Sequence, residues 1–542
     1  MRKNRITALS LSCIILSSAL YSCGAGDVDY SSYYNSPGGD YRYDYQAAEE
    51  YAHEAYDDAE YYDEEITPEY PNADEEYKNF TEQGFKNPET EPLSTFSADV
   101  DTASYSNVRR MIEDGMSVPE DAVRVEEFIN YFSYDYPQPD DGQTFGEYVE
   151  ISDCPWNNAH KLMMIGVQGK RLDENELPPS NIVFLIDSSG SMDAYNKLPL
   201  VQNAFSMLAE KLTENDRISI ITYAGSSRTV ISGVRGNEKD KILEALYSIT
   251  ANGSTNGEGG INTAYSLAEE YFIEGGNNRV ILATDGDLNV GASSESELKN
   301  LIESKRDKGI YLSVLGFGTG NYKDNRLEAV ADNGNGNYSY IDSVDEARKV
   351  LISEMGGTLF TIAKDVKFQV EFNPAKIKSY RLIGYDNRIM NAEDFYDNTK
   401  DAGEVGSGHS VTALYEIELA DTDGIYHGIE LEFAAEHSQP MNNTADDERQ
   451  ELFKFSTAYK DVNLGEDIYN SKLFGMEKYN SKPSDRISLA ASAAEFAMLL
   501  KNSEYKGNSD YGQILKALDG ISDNNEEISE LYSLVKTYYG QQ

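Results

Sequence analysis

The sequence predicts an α/β protein whose centre is a doubly wound, mostly parallel sheet. An antiparallel, β-sandwich-like region flanks it, and a helical segment closes the chain. Three observations carry this reading. Ile182-Val183-Phe184-Leu185-Ile186 is an unbroken apolar run, the mark of a strand buried on both faces. From there to Met355, apolar runs of strand length alternate with stretches of helical period. After Thr358 the pattern turns to alternating strands, and from Ser484 to helices. The 542 residues have room for roughly two to four domains of about 100–200 residues.

The first residues read as an address. Met1-Arg2-Lys3-Asn4-Arg5 is a basic start, and Ile6 to Leu20 is apolar but short for a bilayer span. Leu20-Tyr21-Ser22-Cys23 follows and resembles a bacterial lipobox, which implies a signal peptide over 1–22 and lipid on Cys23. Losing residues 1–22 removes three bases and moves the formal net charge from −48 to −51. Of the other cysteines, Cys13 lies in the signal and Cys154 stands alone, so no intramolecular disulfide is expected. There is no CxxC and the five histidines are scattered, which disfavours structural zinc.

Residues 23–92 are rich in tyrosine and acid, with 20 acids against 3 bases after Cys23. Such a composition cannot bury a core, so a self-repelling tether is expected, reaching about 45 Å as a flexible coil. Asp27 and Asp29 resemble signals that send some Gram-negative lipoproteins to the cell surface. With 94 acids to 46 bases overall, the chain lacks the basic balance that displaces counterions from nucleic acid.

Residues 93–175 form the N-terminal ordered region. Asp101–Ile112 and Glu120–Tyr131 read as short helices separated by Gly115 and Pro119, and Phe145–Ile151 and Leu162–Gln168 as strands. Leu93–Ala98 does not read as a buried apolar strand. Over 176–357 the expected order is strand (182–186), helix (200–212), two strands (218–223 and 229–234) and helix (239–249). A glycine-rich loop, helix (261–272), strand (280–283), helix (295–305) and strand (310–317) follow. A short helix near Leu327, a strand at 338–341 and a helix from Val344 to Met355 end it. Over 358–483, strands are expected at 366–372, 380–384, 410–419, 429–433 and 452–458. Over 484–542, helices are expected at 490–500, 511–518 and 527–538.

In open α/β sheets, ligands gather beyond the carboxyl ends of the strands. Three hydrophilic clusters fall there: Asp187-Ser188-Ser189-Gly190-Ser191, then Gly253-Ser254-Thr255-Asn256-Gly257, then Thr284-Asp285-Gly286. Two carboxylates and three hydroxyls would converge on one edge as hard oxygen ligands for a small divalent cation. Helix capping alone would account for Asp187 and the serines, but not for the other two segments.

Asp187-x-Ser189-x-Ser191, Thr255 and Asp285 resemble, in order, the metal-ion-dependent adhesion site of the von Willebrand factor type A (VWA) family, whose fold is Rossmann-like. The resemblance implies that Ser189, Ser191 and Thr255 touch the metal, while Asp187 and Asp285 act directly or through water. It implies Mg2+, with Mn2+ or Ca2+ as substitutes, and a coordination position completed by an Asp or Glu carboxylate of a protein partner. Phe96-Ser97-Ala98-Asp99-Val100-Asp101-Thr102, Val123-Arg124-Val125-Glu126-Glu127-Phe128 and Cys154-Pro155-Trp156-Asn157 are similar to the N-terminal region of a bacterial VWA lipoprotein family. Phe372-Asn373-Pro374, Tyr380-Arg381-Leu382-Ile383-Gly384-Tyr385 and Gly408-His409-Ser410-Val411-Thr412 are similar to its C-terminal region, which has no assigned activity. The family's arginine-tyrosine-lysine strand is Ala458-Tyr459-Lys460 here. Because strands stop just before the VWA-like stretch and resume just after it, the flanks are expected to share one sandwich with the VWA domain inserted, as in integrin β subunits.

The expected function is metal-dependent protein binding, for adhesion or scaffolding, by a non-enzymatic lipoprotein of the cell envelope. The expected location is the outer membrane, facing the periplasm or the surface. The alternative is an envelope enzyme, phosphatase-like at Asp99 and Asp101 or hydrolytic through the C-terminal region, with the VWA domain as accessory. Asp99-Val100-Asp101-Thr102 partly matches a DxDxT phosphatase motif, but capping of the following helix accounts for the same acids. Asp285-x-Asp287-x-Asn289 lacks the glycine and terminal glutamate of an EF-hand. Residues 332–337 read as a turn, His409 as a turn residue and Trp156 as a core anchor.

Overall fold

The protein is described here by a computed structural model covering residues 75–173, 177–253, 257–286, 295–320, 322–420, 451–462, 464–521 and 525–542. By its contacts the chain divides at Pro68/Glu69, and residues 1–68 lie outside the described set. So do Cys23, Thr255 and the strand expected at 429–433.

The first strand corrects the sequence reading. β1 (Leu93–Ser97) is a strand, and Ser94 to Ser97 are all buried. Its alternation of small polar residues hides it, because Ser94 and Thr95 satisfy their hydroxyls inside the protein. Tyr415 Oη donates to Ser94 at 3.0 Å, and Gln369 Nε2 donates to Thr95 at 2.9 Å. α1 (Ala103–Glu113) and α2 (Val125–Asn130) follow, then the hairpin strands β2 (Phe145–Asp153) and β3 (Lys161–Gly169).

β4 (Ser180–Asp187) holds the apolar run and is buried along its whole length. α3 (Leu198–Lys211), β5 (Arg217–Tyr223), β6 (Ser227–Arg235), α4 (Lys239–Tyr247), α5 (Gly257–Glu270) and β7 (Asn277–Thr284) come next. α6 (Glu295–Arg306), β8 (Ile310–Phe317), α7 (Asp324–Asn333) and β9 (Tyr338–Ile341) complete the sheet. Its order is β6-β5-β4-β7-β8-β9, parallel throughout except for β5 against β6. Successive residues face opposite sides. Ile182, Phe184 and Ile186 pack under α3 and α4, with the Phe184 ring stacked on Phe205 at 3.9 Å. Val183 and Leu185 pack under α5, α6 and α7.

The helix expected from Val344 to Met355 is not continuous. It is α8 (Val344–Arg348), a π-helical turn (Lys349–Ser353) and α9 (Met355–Leu359). Glu354 N donates to Lys349 O at 2.9 Å, the wider spacing that defines such a turn.

β10 (Thr361–Phe372), β11 (Ile377–Ile383), β12 (Ile389–Met390), β13 (Gly403–Gly406), β14 (Ser410–Leu419), β15 (Glu451–Asp461) and β16 (Asp467–Gly475) are antiparallel. β1 pairs with β10, placing Phe96 opposite Phe368, and β3 pairs with β14, placing Met164 opposite Leu414. One sheet runs β12-β1-β10-β15-β16, with β13 also on β10, and the other runs β11-β14-β3-β2. Phe96, Ile151, Ile165, Phe368, Val370, Phe372, Tyr415 and Phe455 fill the core they share. Strands from both flanks therefore build both sheets, and the parallel-sheet domain is inserted between β3 and β10.

α10 (Asp485–Leu500), α11 (Tyr511–Asp519) and α12 (Glu526–Gln541) cover the outer face of the second sheet with α2. α10 is apolar nearly all round, as a helix buried on every side must be. Residues 75–92, expected as tether, instead lie against this body. Lys86 exchanges backbone hydrogen bonds with Tyr380 at 2.8 and 3.0 Å, and Glu76 N donates to Tyr322 O at 3.0 Å. Among the described residues, no helix is long and apolar enough to cross a membrane.

Candidate metal centre

The strand order reverses between β4 and β7, so the crevice beyond their carboxyl ends is where a ligand belongs. Asp187 is the last residue of β4 and is fully buried. Its Oδ1 accepts the Ser189 backbone N–H at 2.8 Å, which folds the chain back into a short 3-10 turn over Gly190–Asp193. The turn is fixed from both sides. Ser188 N donates to Tyr223 O at 2.9 Å, Gly190 N to Gly253 O at 3.0 Å, and Asn252 N to Ser188 O at 2.7 Å. The second of the three sequence clusters is thus tied to the first at Gly253.

The hydroxyls of Ser189 and Ser191 lie 2.9 Å apart. Ser189 is buried, while Ser191 is exposed, which leaves this side of the site open to solvent. At the end of β7, Thr284 Oγ1 lies 3.5 Å from Asp187 Oδ2 and accepts the Gly286 N–H at 3.3 Å. Asp285 is 4% exposed. Its Oδ2 accepts a hydrogen bond from Lys197 Nζ at 2.9 Å, and its Oδ1 has no hydrogen-bond partner among the described residues.

Burial pushes the Asp187 carboxyl up to about 6, opposed by the Ser189 hydrogen bonds and helped by the charge of Asp285. Two buried carboxylates of this kind call for a cation. The Asp285 oxygen without a partner among the described residues and the two adjacent hydroxyls make a donor set that fits a hard divalent ion, while the other Asp285 oxygen is already held by an ammonium. Among the described residues, no group of three or more His, Cys, Asp or Glu is arranged to hold a metal. Any ion here would therefore rely on hydroxyls as well as the two acids.

The sequence predicted Asp187, Ser189, Ser191 and Asp285, and the structure brings them to one edge; Thr255 lies outside the described residues. It did not predict Lys197, a lone lysine before a helix, which carries no periodic or motif signal. A cleft of about 1230 Å3 opens nearby, with Tyr195, Asn196 and Gly318 among its lining residues.

The acids of the phosphatase-like motif are engaged elsewhere. Asp99 and Asp101 are 3% and 5% exposed. Arg388 reaches Asp99 at 3.0 Å, Asp101 at 3.1 Å, Asp332 at 3.2 Å and Glu328 at 3.4 Å. Asp101 Oδ1 also accepts the Tyr338 N–H at 2.9 Å. Arg388 thereby ties Glu328 and Asp332 of α7 to the acids that precede α1. His409 is half-buried, with its imidazole lowered to about 4 by desolvation, and Trp156 Nε1 donates to Glu416 at 2.9 Å.

A doubly wound sheet with acids and serines at its switch point, inserted into an antiparallel sandwich, defines a VWA-domain protein. Family models agree. That described as von Willebrand factor type A domain matches residues 181–352, von Willebrand factor matches 71–164, and the C-terminal model of the uncharacterized protein YfbK matches 357–540. The chain is 40% identical over 448 residues to the uncharacterized protein YfbK of Escherichia coli (strain K12), across 81% of this chain and 76% of that one. It belongs to the YfbK family. It is also 32% identical over 161 residues to inter-alpha-trypsin inhibitor heavy chain H3 of Homo sapiens, covering 28% of this chain and 18% of that one. Among solved structures it resembles a von Willebrand factor type A protein from Catenulispora acidiphila, at 14% identity and a TM-score of 0.41, over 76% of this chain and 91% of that one.

Proposed function

We propose that this protein binds a protein partner through a divalent cation held by Asp187, Ser189, Ser191, Thr255 and Asp285. Mg2+ is the expected ion, and Mn2+ or Ca2+ would substitute. The observation that carries the reading is the buried Asp285 Oδ1, which has no hydrogen-bond partner among the described residues, at a sheet edge where the Ser191 residue is open to solvent. A bound divalent ion supplies an electrophilic centre for a carboxylate oxygen. Asp187 and Asp285 provide the negative charge, and the serine hydroxyls add donors without neutralising it further. That balance keeps room for an Asp or Glu from the partner, and it suits binding rather than catalysis.

The basic and apolar leader and Leu20-Tyr21-Ser22-Cys23 support a lipid anchor at Cys23 in the bacterial cell envelope, at the outer membrane. The role is adhesion or scaffolding. Mn2+ titration of the full chain and of Asp187→Ala tests the centre. Saturable binding lost in the variant is expected, and equal binding by both would overturn the reading. Fatty-acid labelling lost in Cys23→Ser tests the anchor.

A further inference from the structure

Lys197 is placed by its backbone and its stem together. Its N–H donates to Ala194 O at 3.0 Å, and its carbonyl accepts the Val201 N–H at 2.9 Å, so it is fixed where α3 begins. Its methylenes lie where a side chain at position 318 would be. Gly318 has φ +70°, and a Cβ there would come within 2.3 Å of Lys197 Cε and 2.4 Å of Cγ. The Gly318 carbonyl is held in turn by the Tyr340 hydroxyl at 2.6 Å. The absent side chain is the passage that lets the lysine reach Asp285, where both side chains are nearly buried, at 11% and 4% exposure.

We propose that Lys197 is a built-in cation that occupies the metal centre in competition with the divalent ion. The inference rests on the metal centre proposed above. A buried carboxylate without a counter-charge is costly, so the ammonium keeps Asp285 neutralised when no divalent ion is bound. An arriving divalent ion must displace the ammonium from Asp285 or accept a like charge at close range in a poorly screened site. Lys197 thereby lowers the affinity of the site and makes occupancy an exchange of one cation for another. The domain stays folded without metal, and divalent binding remains reversible.

The test is Mn2+ titration by calorimetry, with thermal unfolding in EDTA and in Mn2+, on the full chain and on Lys197→Met and Gly318→Ala. Lys197→Met removes the charge and keeps the stem's bulk. Gly318→Ala blocks the passage and dislodges the ammonium by an independent route. Both should bind Mn2+ about tenfold tighter or more than wild type. Both should also unfold at lower temperature in EDTA and gain more from Mn2+ than wild type does. Wild-type affinity in whichever variant folds, or weaker binding, would overturn the proposal and leave the metal centre standing. Absence of saturable Mn2+ binding in wild type and variants alike would remove the metal centre itself.

Discussion

Glu126 offers a quantitative test of how the flanking region holds its buried acids. It lies on α2, is 3% exposed, and accepts the Tyr385 N–H at 2.9 Å on Oε2. The turn at Gly384 (φ +73°) brings the backbone so close that a Cβ there would stand 2.7 Å from the same oxygen. Burial first, then the charges of Asp99 and Asp386, raise its carboxyl from 4.5 to about 7. Because the folded value lies above the unfolded one, the contribution of the neutral acid is full below pH 4.5 and is lost as pH rises through about 7. At about 1.4 kcal/mol per unit, the loss is about 3 kcal/mol. Glu126→Gln keeps an acceptor for Tyr385 and cannot ionise. Urea unfolding of both proteins at pH 4.5, 6 and 8 should show the variant gaining about 3 kcal/mol on wild type across that range. Other titrating groups are common to both chains and cancel. A difference that stays constant with pH, or shrinks toward pH 8, would refute the reasoning.

Arg388→Met should cost about 3–5 kcal/mol at pH 8, because it strands Asp99 and Asp101 without their guanidinium. Urea unfolding should show a smaller loss at lower pH, because burial already raises the Asp101 carboxyl and favours its neutral form. Trp156→Phe removes the donor to Glu416 Oε2, a carboxylate that Arg381 also holds at 3.1 Å. The expected cost is about 2 kcal/mol, read as a lowered Tm, with Mn2+ binding unchanged.

How much of this was legible depended on whether a residue's neighbours in sequence carried its signal. β4 was plain because burial on both faces demands consecutive apolar residues, and Asp187 and Asp285 stood out as acids directly after such runs. β1 was missed because its buried positions are Ser and Thr whose partners, Tyr415 and Gln369, lie hundreds of residues away. β16 was missed for the opposite reason: its first seven residues are largely exposed at a sheet edge, so they show no apolar alternation. The π-helical turn at Lys349 reflects tertiary demand. Lys349 Nζ is drawn to Glu527 and to the Tyr131 carbonyl, 2.7 and 2.6 Å away, neither of which is local. Lys197 was invisible because its role comes from a glycine on a different strand's loop.

The most direct measurement is anomalous diffraction from crystals of the full chain soaked in Mn2+. The account predicts a single peak at the β4/β7 edge, within coordination distance of the Ser189 and Ser191 hydroxyls and close to Asp187 and Asp285. One coordination position should face solvent. A featureless map at that edge, or an ion whose last position is filled by a side chain of the same molecule, would contradict it.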